Sequence, residues 1–176
     1  MSIIIRRNNR KTFKDIIDYD LDILFVGLNP SPISIKKGHY HQGRLGRRFW
    51  NRLKQSNILK NYQDGKEDES LLRNNFGITD LVKKPSPRSK TLTEKDYLKG
   101  RKALKKKILR FKPKIICFIY KKAVEKFLNR KIKTLDKIDR KVGDSLVFLL
   151  PGIYANKLEV KNKMHELQRL LKRVKK

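Results

Sequence analysis

The chain has 176 residues, of which 46 are Lys or Arg and 17 are Asp or Glu, so its formal net charge is +29. This surplus indicates a polyanionic partner. Nucleic acid is favoured over a membrane, because no run of about 18 apolar residues exists and the basic residues are not confined to one amphipathic helix. With 38% hydrophobic residues the chain is too apolar for a disordered tail. We predict one folded basic domain over residues 1–176.

The single cysteine, Cys117, lies in the apolar run 115–119 and is predicted to be a small buried core residue. A lone cysteine excludes a disulfide within the chain. The apolar stretch at the start is short and is followed by basic residues, which is not the pattern of a secretory signal. We expect an intracellular protein of the cytoplasm or nucleoid, or of the nucleus if the source is eukaryotic.

In chain order, the first predicted elements are a buried strand at residues 23–26 and a helix at 49–58. Residues 61–70 read NYQDGKEDES and are predicted to be a surface loop, because they are polar and contain an Asp-Gly turn signal. Residues 76–82 form a short apolar segment, either a strand or an irregular stretch that packs on the core. Strands and helices are therefore predicted to alternate over this first part of the chain.

Thr93 and Asp96 resemble a capping box that starts the next helix, which extends to Pro113. A strand is predicted at 114–120, a short helix at 123–128 and a further strand at 145–150. The last helix has the clearest helical periodicity, carried by Val160, Met164, Leu167, Leu171 and Val174. The alternation predicts an α/β fold, a three-layer α/β/α sandwich around a small, mostly parallel central sheet.

A polar loop follows the first predicted strand. Residues 27–30 read Gly-Leu-Asn-Pro, Gly38 lies further along, and Phe49-Trp50 lies at a helix start. An Asn-Pro pair alone is a common turn. The carboxyl end of a strand in an α/β sheet, however, is where such folds place their ligands. Gly-Leu-Asn-Pro, Gly38 and Phe49-Trp50, in this order after a strand, are therefore a more specific signal of a functional site than an Asn-Pro turn alone.

A second motif, residues 77–85, reads Gly-Ile-Thr-Asp-Leu-Val-Lys-Lys-Pro and is followed by Ser89-Lys90 and a helix with acidic residues at its start. Together the two motifs resemble those of the mismatch-specific uracil/thymine DNA glycosylase family, within the uracil-DNA glycosylase superfamily. Lys121 matches a further Lys of that family. The resemblance extends from Asp22 to about Phe127.

The resemblance implies roles for the first loop. Asn29 lies where the family has the Asn that positions the attacking water, and His41 where it has an aromatic residue that stacks on the flipped base. Tyr40, its neighbour, is the alternative stacking residue. The backbone groups of Leu28 and Ser31 would approach the base, although Ser31 replaces a Gly of the family's Asn-Pro-Gly turn.

Ser34 lies at a position where the family's uracil-preferring type has Ser and its thymine-active type has Ala. A small polar side chain in the path of the 5-methyl group of thymine would tend to reject that base. Ser34 therefore favours uracil over thymine as the substrate.

Residues 149–157 read Leu-Leu-Pro-Gly-Ile-Tyr-Ala-Asn-Lys, where the family has a Leu-Pro-Asn-Pro-Ser-Gly type loop that enters the gap left by the flipped base. Either Ile153 or Tyr154 could be the intercalating wedge, and Asn156 and Lys157 could contact phosphate or the orphan base. Leu-Pro followed by Ala-Asn also resembles the superfamily's hypoxanthine-type branch. The candidate phosphate contacts are Lys83, Lys84, Arg88, Lys90 and Lys121.

No cofactor or metal is expected, because His39 and His41 have no third ligand at metal-binding spacing. The resemblance implies a monomeric, monofunctional DNA glycosylase that flips uracil out of double-stranded DNA, with G·U mismatches preferred, and hydrolyses its N-glycosidic bond, initiating base excision repair. Lyase activity is not expected, because no motif assigns an amine nucleophile. Two alternatives stay open: the same scaffold acting on hypoxanthine or thymine, and a non-catalytic basic nucleic-acid-binding protein.

Overall fold

A mostly parallel sheet forms the centre of the fold, for which a computed structural model describes residues 4–7, 9–87, 91–132 and 141–175. The strands are β1 (Ile4–Arg7), β2 (Arg10–Phe13), β3 (Ile23–Gly27), β4 (Phe76–Asp80), β5 (Ile115–Phe118), β6 (Lys141–Val142) and β7 (Ser145–Leu149). β1 and β2 form an antiparallel hairpin, and the other five strands form one sheet in the order β4-β3-β5-β7-β6. In this five-stranded sheet, the short β6 runs antiparallel to β7, whereas β4, β3, β5 and β7 pair in parallel.

Helices cover both faces of this sheet. They are α1 (Pro32–Lys37), α2 (Arg44–Gln55), α3 (Glu94–Phe111), α4 (Lys121–Leu128) and α5 (Lys157–Val174). Side chains of β3 alternate between two hydrophobic clusters, because successive residues of a strand point to opposite faces. Phe25 packs with residues of α2 and α5, whereas Val26 packs with residues of α3 and α4. This arrangement confirms the predicted three-layer α/β/α sandwich.

Most of the helices predicted from the sequence are observed. Thr93 caps α3, and its side chain and that of Asp96 form the reciprocal bonds of a capping box. In α5, Met164, Leu167 and Leu171 are buried against the core. Cys117 is buried in the core and is a free thiol. α2 differs from the prediction, since it begins at Arg44 rather than at residue 49.

The prediction of a surface loop at residues 61–70 is wrong for its last part. Glu67, Asp68 and Ser70 are buried, and the segment 67–70 is a short 3-10 helix. The carboxylates are buried because donors from elsewhere in the chain reach them. Lys54 lies 2.6 Å from Glu67, and the backbone N–H of Tyr40 donates to Asp68 over 2.8 Å.

Within the described ranges, no helix is both long enough and apolar enough to span a membrane.

Gly100 provides a stability test of the contact between α3 and the end of β4. Replacing an interior helical Gly with Ala ordinarily stabilises a helix by about 1 kcal/mol. Here a Cβ would lie 2.2 Å from the carbonyl oxygen of Leu81. We expect Gly100→Ala to reduce the free energy of unfolding by roughly 1–3 kcal/mol in urea denaturation, because the backbone must shift. Gly152→Ala is the control, since its Cβ would have no neighbour within 4 Å. A Gly100→Ala protein as stable as the parent would contradict the contact.

Candidate active site at the ends of β3 and β4

The Asn-Pro loop connects the end of β3 to α1 and is fixed by its own serines. Ser31 is the N-cap of α1, and its Oγ accepts a hydrogen bond from the backbone N–H of Ser34 over 3.1 Å. The hydroxyl of Ser34 accepts in turn from the backbone N–H of Gln42 over 3.0 Å. The two serines therefore join the loop to the segment that contains Tyr40 and His41.

The segment after β4 lies alongside this loop. The backbone N–H groups of Leu81 and Val82 donate to the carbonyls of Gly27 and Leu28, each over 2.9 Å. Further along, the N–H of Ser86 donates to the carbonyl of Pro30 over 3.1 Å. The two sequence motifs are thus hydrogen-bonded to each other, as a continuation of the parallel pairing between β3 and β4.

Asn29 is half-buried, and its carboxamide is held by backbone groups. Its Nδ2 donates to the carbonyl of Pro30 over 3.1 Å and to the carbonyl of Ser86 over 3.2 Å. Both amide protons are thereby used. The remaining capacity of the side chain is that of its Oδ1, an acceptor that can orient a water molecule without ionising.

A cavity of about 460 Å³ lies beside Asn29 at the carboxyl ends of β3 and β4. This volume is within the usual range for small-molecule sites. The predicted base-binding residues Leu28, Ser31, Ser34, Tyr40 and His41 all line the cavity, as do Asp80, Tyr120 and Ile153. The structure therefore brings the residues of both motifs and of the loop after β7 to one place.

Tyr40 is buried and lines this cavity, and several contacts hold its side chain in place. Its ring stacks on Phe13, with the ring centroids 4.3 Å apart. Its hydroxyl donates to the carbonyl of Lys14 over 3.2 Å and accepts from Lys83 over 3.0 Å. Burial raises the pKa of Tyr40 well above its usual value, so the phenol stays neutral.

His41 is also buried, in the left-handed backbone conformation, with φ of 55°. Burial lowers the pKa of its imidazole to about 4, so the ring is neutral at physiological pH. Its Nδ1 lies 3.4 Å from the hydroxyl of Tyr120. Its Nε2 has no hydrogen-bond partner among the described residues. Gly46 of α2 packs on the backbone of His41, since a Cβ there would lie 2.4 Å from the His41 carbonyl oxygen.

Asp80 is a site residue that the sequence interpretation did not single out. It is the last residue of β4, opposite Gly27 of β3, and it is 2% exposed. Neither of its carboxyl oxygens has a hydrogen-bond partner in the described part of the chain. Burial raises the pKa of Asp80 to about 7, although Lys83 lowers it by charge. An acidic residue at the end of a strand with no other charged residue was the available signal.

The contact of Asp80 with Gly27 is close. A Cβ at residue 27 would lie 2.2 Å from Oδ1 of Asp80 and 3.1 Å from Nε2 of His41. Two unpaired polar atoms therefore converge on the backbone of Gly27, under the Asn-Pro loop. A side chain at residue 27 would displace both of them.

The predicted phosphate contacts have different surroundings. Lys83 forms an ion pair with Asp15 at 2.5 Å, as does Lys107, and these cations lower the pKa of Asp15 although burial opposes it. Lys84 forms an ion pair with Asp96 at 3.1 Å. Lys121 is exposed at the start of α4. Arg88 and Lys90 lie outside the described residues. DNA contact by Lys83 and Lys84 stays a prediction, and it would compete with these ion pairs.

Two arginines of α2 hold the loop after β7. Arg52 donates to the carbonyls of Pro151 and Gly152 over 2.6 and 2.8 Å, and Arg48 donates to the carbonyl of Ile153 over 2.7 Å. Tyr154 is 80% exposed, beside the guanidinium of Arg48. The loop therefore presents an aromatic ring to solvent while its backbone is fixed.

The last two predicted DNA contacts lie at the start of α5. Asn156 is its N-cap, with Oδ1 accepting from the N–H of Glu159 over 2.8 Å. Lys157 is exposed beside it. A second cavity, of about 530 Å³, lies between α2 and α5 and is lined by Arg48, Lys157 and Lys161. The loop after β7 thus contributes to both cavities, since Ile153 lines each of them.

No group of three or more His, Cys, Asp or Glu side chains is arranged to hold a metal ion in the part of the chain that the structure describes.

The fold agrees with the comparison to known families. The family model described as the uracil DNA glycosylase superfamily matches residues 14–172, which include every strand of the parallel sheet and both motifs around the cavity. The match supports a DNA glycosylase that acts on damaged bases in DNA repair. The chain belongs to the uracil DNA glycosylase superfamily.

Proposed function

We propose that this protein is a monofunctional glycosylase that removes uracil from double-stranded DNA, with G·U mismatches preferred. The observation that carries the proposal is the carboxamide of Asn29, held by two backbone carbonyls beside a cavity at the strand ends. Such an amide can position a water molecule for attack on the sugar carbon. The product would be an abasic site and free uracil.

The reaction requires the nucleotide to leave the helix first, because the duplex hides its glycosidic bond. Flipping costs a few kcal/mol, and less for a mismatched pair, which is the reason to expect a G·U preference. As the bond breaks, the sugar gains oxocarbenium character and the departing base becomes anionic. Donors and neutral groups around the base are therefore more useful than a strong base at this site.

Ser34 supports uracil over thymine. Its side chain is buried, and its hydroxyl is held by Ser31 and by the N–H of Gln42. Because these hydrogen bonds fix the side chain of Ser34, it cannot move aside readily for the 5-methyl group of thymine. Hypoxanthine and thymine remain the alternative substrates on this scaffold.

The surface around the cavity supports DNA as the partner. Arg48, Lys157 and Lys161 line the cleft beside the loop after β7, and the net charge of the chain is +29. Tyr154 is the better candidate for the wedge, because it is exposed, whereas Ile153 lines the base cavity. We propose that Tyr154 enters the base stack when the nucleotide flips.

Replacement of Asn29 tests the catalytic proposal. Asn29→Ala should lower the rate of uracil release by at least about 100-fold, because the water loses its positioning group. Asn29→Asp should not restore activity, since a carboxylate would face the carbonyls of Pro30 and Ser86. Labelled duplexes with one G·U, A·U, G·T or I·T pair are incubated with protein, and alkali then cleaves abasic sites. Gln63→Ala, which removes an exposed carboxamide from the segment after α2, should match the parent.

Two results of that assay would count against the proposal. Binding of these duplexes by the parent protein without strand cleavage would favour the non-catalytic alternative. Full activity in Asn29→Ala would remove Asn29 from the mechanism.

Replacement of Tyr154 tests the wedge. Tyr154→Ala should reduce kcat/KM on G·U duplex by about 10- to 100-fold, the value of one aromatic stacking contact, and have less effect on single-stranded uracil DNA. Tyr62→Ala is the control, because Tyr62 is also exposed but packs near Lys54. A loss confined to Ile153→Ala, with Tyr154→Ala unaffected, would assign the wedge to Ile153 instead.

A further inference from the structure

The hairpin β1–β2 is a basic element that the family match does not include. It ends at Phe13, and the match begins at residue 14. Two interactions attach it beside the base cavity. The hydroxyl of Thr12 donates to the carbonyl of Lys83 over 2.7 Å, and Phe13 stacks on Tyr40 in the wall of that cavity. The position of the hairpin is therefore fixed relative to the site.

A cleft of about 450 Å³ lies between this hairpin, the segment after β4 and α3, and we call it the hairpin cleft. Its cationic side chains come from all three elements, and they are Arg7, Arg10, Lys83, Lys84, Lys99 and Lys107. Among the described residues its acids are Asp80 and Asp96. Cations thus greatly outnumber acids in its walls.

Half of these cations are not neutralised within the described part of the chain. Arg7, Arg10 and Lys99 are exposed and form no ion pair with the described residues. The three other lysines share two carboxylates, those of Asp15 and Asp96. The hairpin cleft therefore carries an excess of positive charge.

The cations of the cleft also repel one another. Arg7 and Arg10 are directly opposite in the register of the hairpin, and like charges at opposite positions destabilise a strand pair. Burial lowers the pKa of Lys107, and repulsion from Lys83 and Arg7 lowers it further, although Asp15 opposes this shift. An arrangement that is unfavourable in the free protein favours an anionic ligand, which would offset the repulsion.

The three cavities described above adjoin one another, with the base cavity in the middle. Asp80 lines both the hairpin cleft and the base cavity, and Ile153 lines both the base cavity and the cleft between α2 and α5. The strand order β4-β3-β5-β7 agrees, because the hairpin lies beside the segment after β4 and the loop with Ile153 follows β7. A small anion would occupy one cleft, whereas a DNA strand carries a phosphate at every nucleotide and extends past all three.

We propose that the hairpin cleft binds backbone phosphates of the DNA beside the flipped nucleotide, through Arg7, Arg10 and Lys99. The proposal rests on the proposed function only in taking DNA as the ligand, and it does not depend on which base is removed. Guanidinium groups suit this role, since they bind phosphate oxygens in a bidentate manner. Lys83 and Lys84, which acids already hold, contribute mainly positive charge.

The salt dependence of DNA binding tests these contacts. Arg7→Gln combined with Arg10→Gln removes both charges and keeps most of each side chain. The probe is a duplex with 2′-fluoro-2′-deoxyuridine opposite G, whose glycosidic bond resists cleavage, and fluorescence anisotropy gives its affinity. At low salt the double variant should bind at least about ten-fold more weakly than wild type. The slope of log affinity against log salt concentration should decrease in magnitude by about one to two.

Arg6→Gln combined with Lys11→Gln is the matched control. Arg6 and Lys11 are opposite each other in the same hairpin, and their side chains lie on its other face, because successive residues of a strand alternate. This variant loses the same charge outside the cleft. Its affinity should stay within about two-fold of wild type, since salt screens exposed charges that do not contact the ligand.

Urea denaturation separates binding from a structural role. Neither double variant should have a lower free energy of unfolding than wild type, because each one removes a pair of like charges from opposite positions. If the Arg7 and Arg10 variant lost stability along with its affinity, the two arginines would be structural residues and the inference would be overturned.

Neutral phosphates locate the contact on the DNA. Methylphosphonate linkages are introduced one at a time on either side of the modified uridine, so that each duplex lacks one charge. At a contacted linkage wild type should lose affinity and the Arg7 and Arg10 double variant should lose less. At the other linkages both proteins should lose affinity equally, as expected for positions that are not coupled.

Three outcomes bear on the inference and on the proposed function separately. Equal salt slopes for the two double variants, or no coupled linkage, would overturn the inference. Tripolyphosphate that stabilises wild type but not the Arg7 and Arg10 variant, with an unchanged salt slope for DNA, would assign the cleft to a small anion instead. Wild type that gives the expected binding results but releases no uracil would overturn the proposed function alone.

Discussion

The site depends on the hydrogen bonds that continue the pairing of β3 and β4 beyond the ends of the strands. Gly27, Leu28 and Pro30 accept from the N–H groups of Leu81, Val82 and Ser86. These bonds place the Asn-Pro loop on the segment after β4, and the carbonyl of Ser86 then orients Asn29. A change in the register of this pair would separate Asn29 from the Asp80 side of the cavity.

The cavity combines fixed walls with groups that lack partners. Tyr40 and Ser34 are held by several hydrogen bonds each, so they define its shape. His41 and Asp80 have buried polar atoms in the same place that lack a partner among the described residues, which is costly in a protein interior. This contrast distinguishes the cavity residues whose polar groups are held by partners from those whose polar groups are not.

The basic side chains of this protein make two kinds of contact around the site, with carboxylates and with backbone carbonyls. Lys54 and Lys83 are half-buried, pair with carboxylates and fix loops around the cavity. Arg48 and Arg52 bind backbone carbonyls of the loop after β7 and so hold Tyr154 toward solvent. The remaining exposed lysines are available for phosphate, where their contribution would decrease with salt as counterions compete.

The layer architecture, the helical periodicity of α5 and the position of Asn29 directly after a strand could be predicted from the sequence, because apolar spacing and strand-loop order are local signals. Which charged side chains are buried depends instead on contacts between distant parts of the chain. Glu67 lies in a segment predicted to be a surface loop, yet it is buried because Lys54 of α2 reaches it. The ion pair of Lys83 with Asp15 likewise joins residues that are distant in the sequence. Asp80 was read only as part of a motif, since its isolation depends on what the fold packs around it. A local pattern does not encode whether a distant donor reaches a buried carboxyl group.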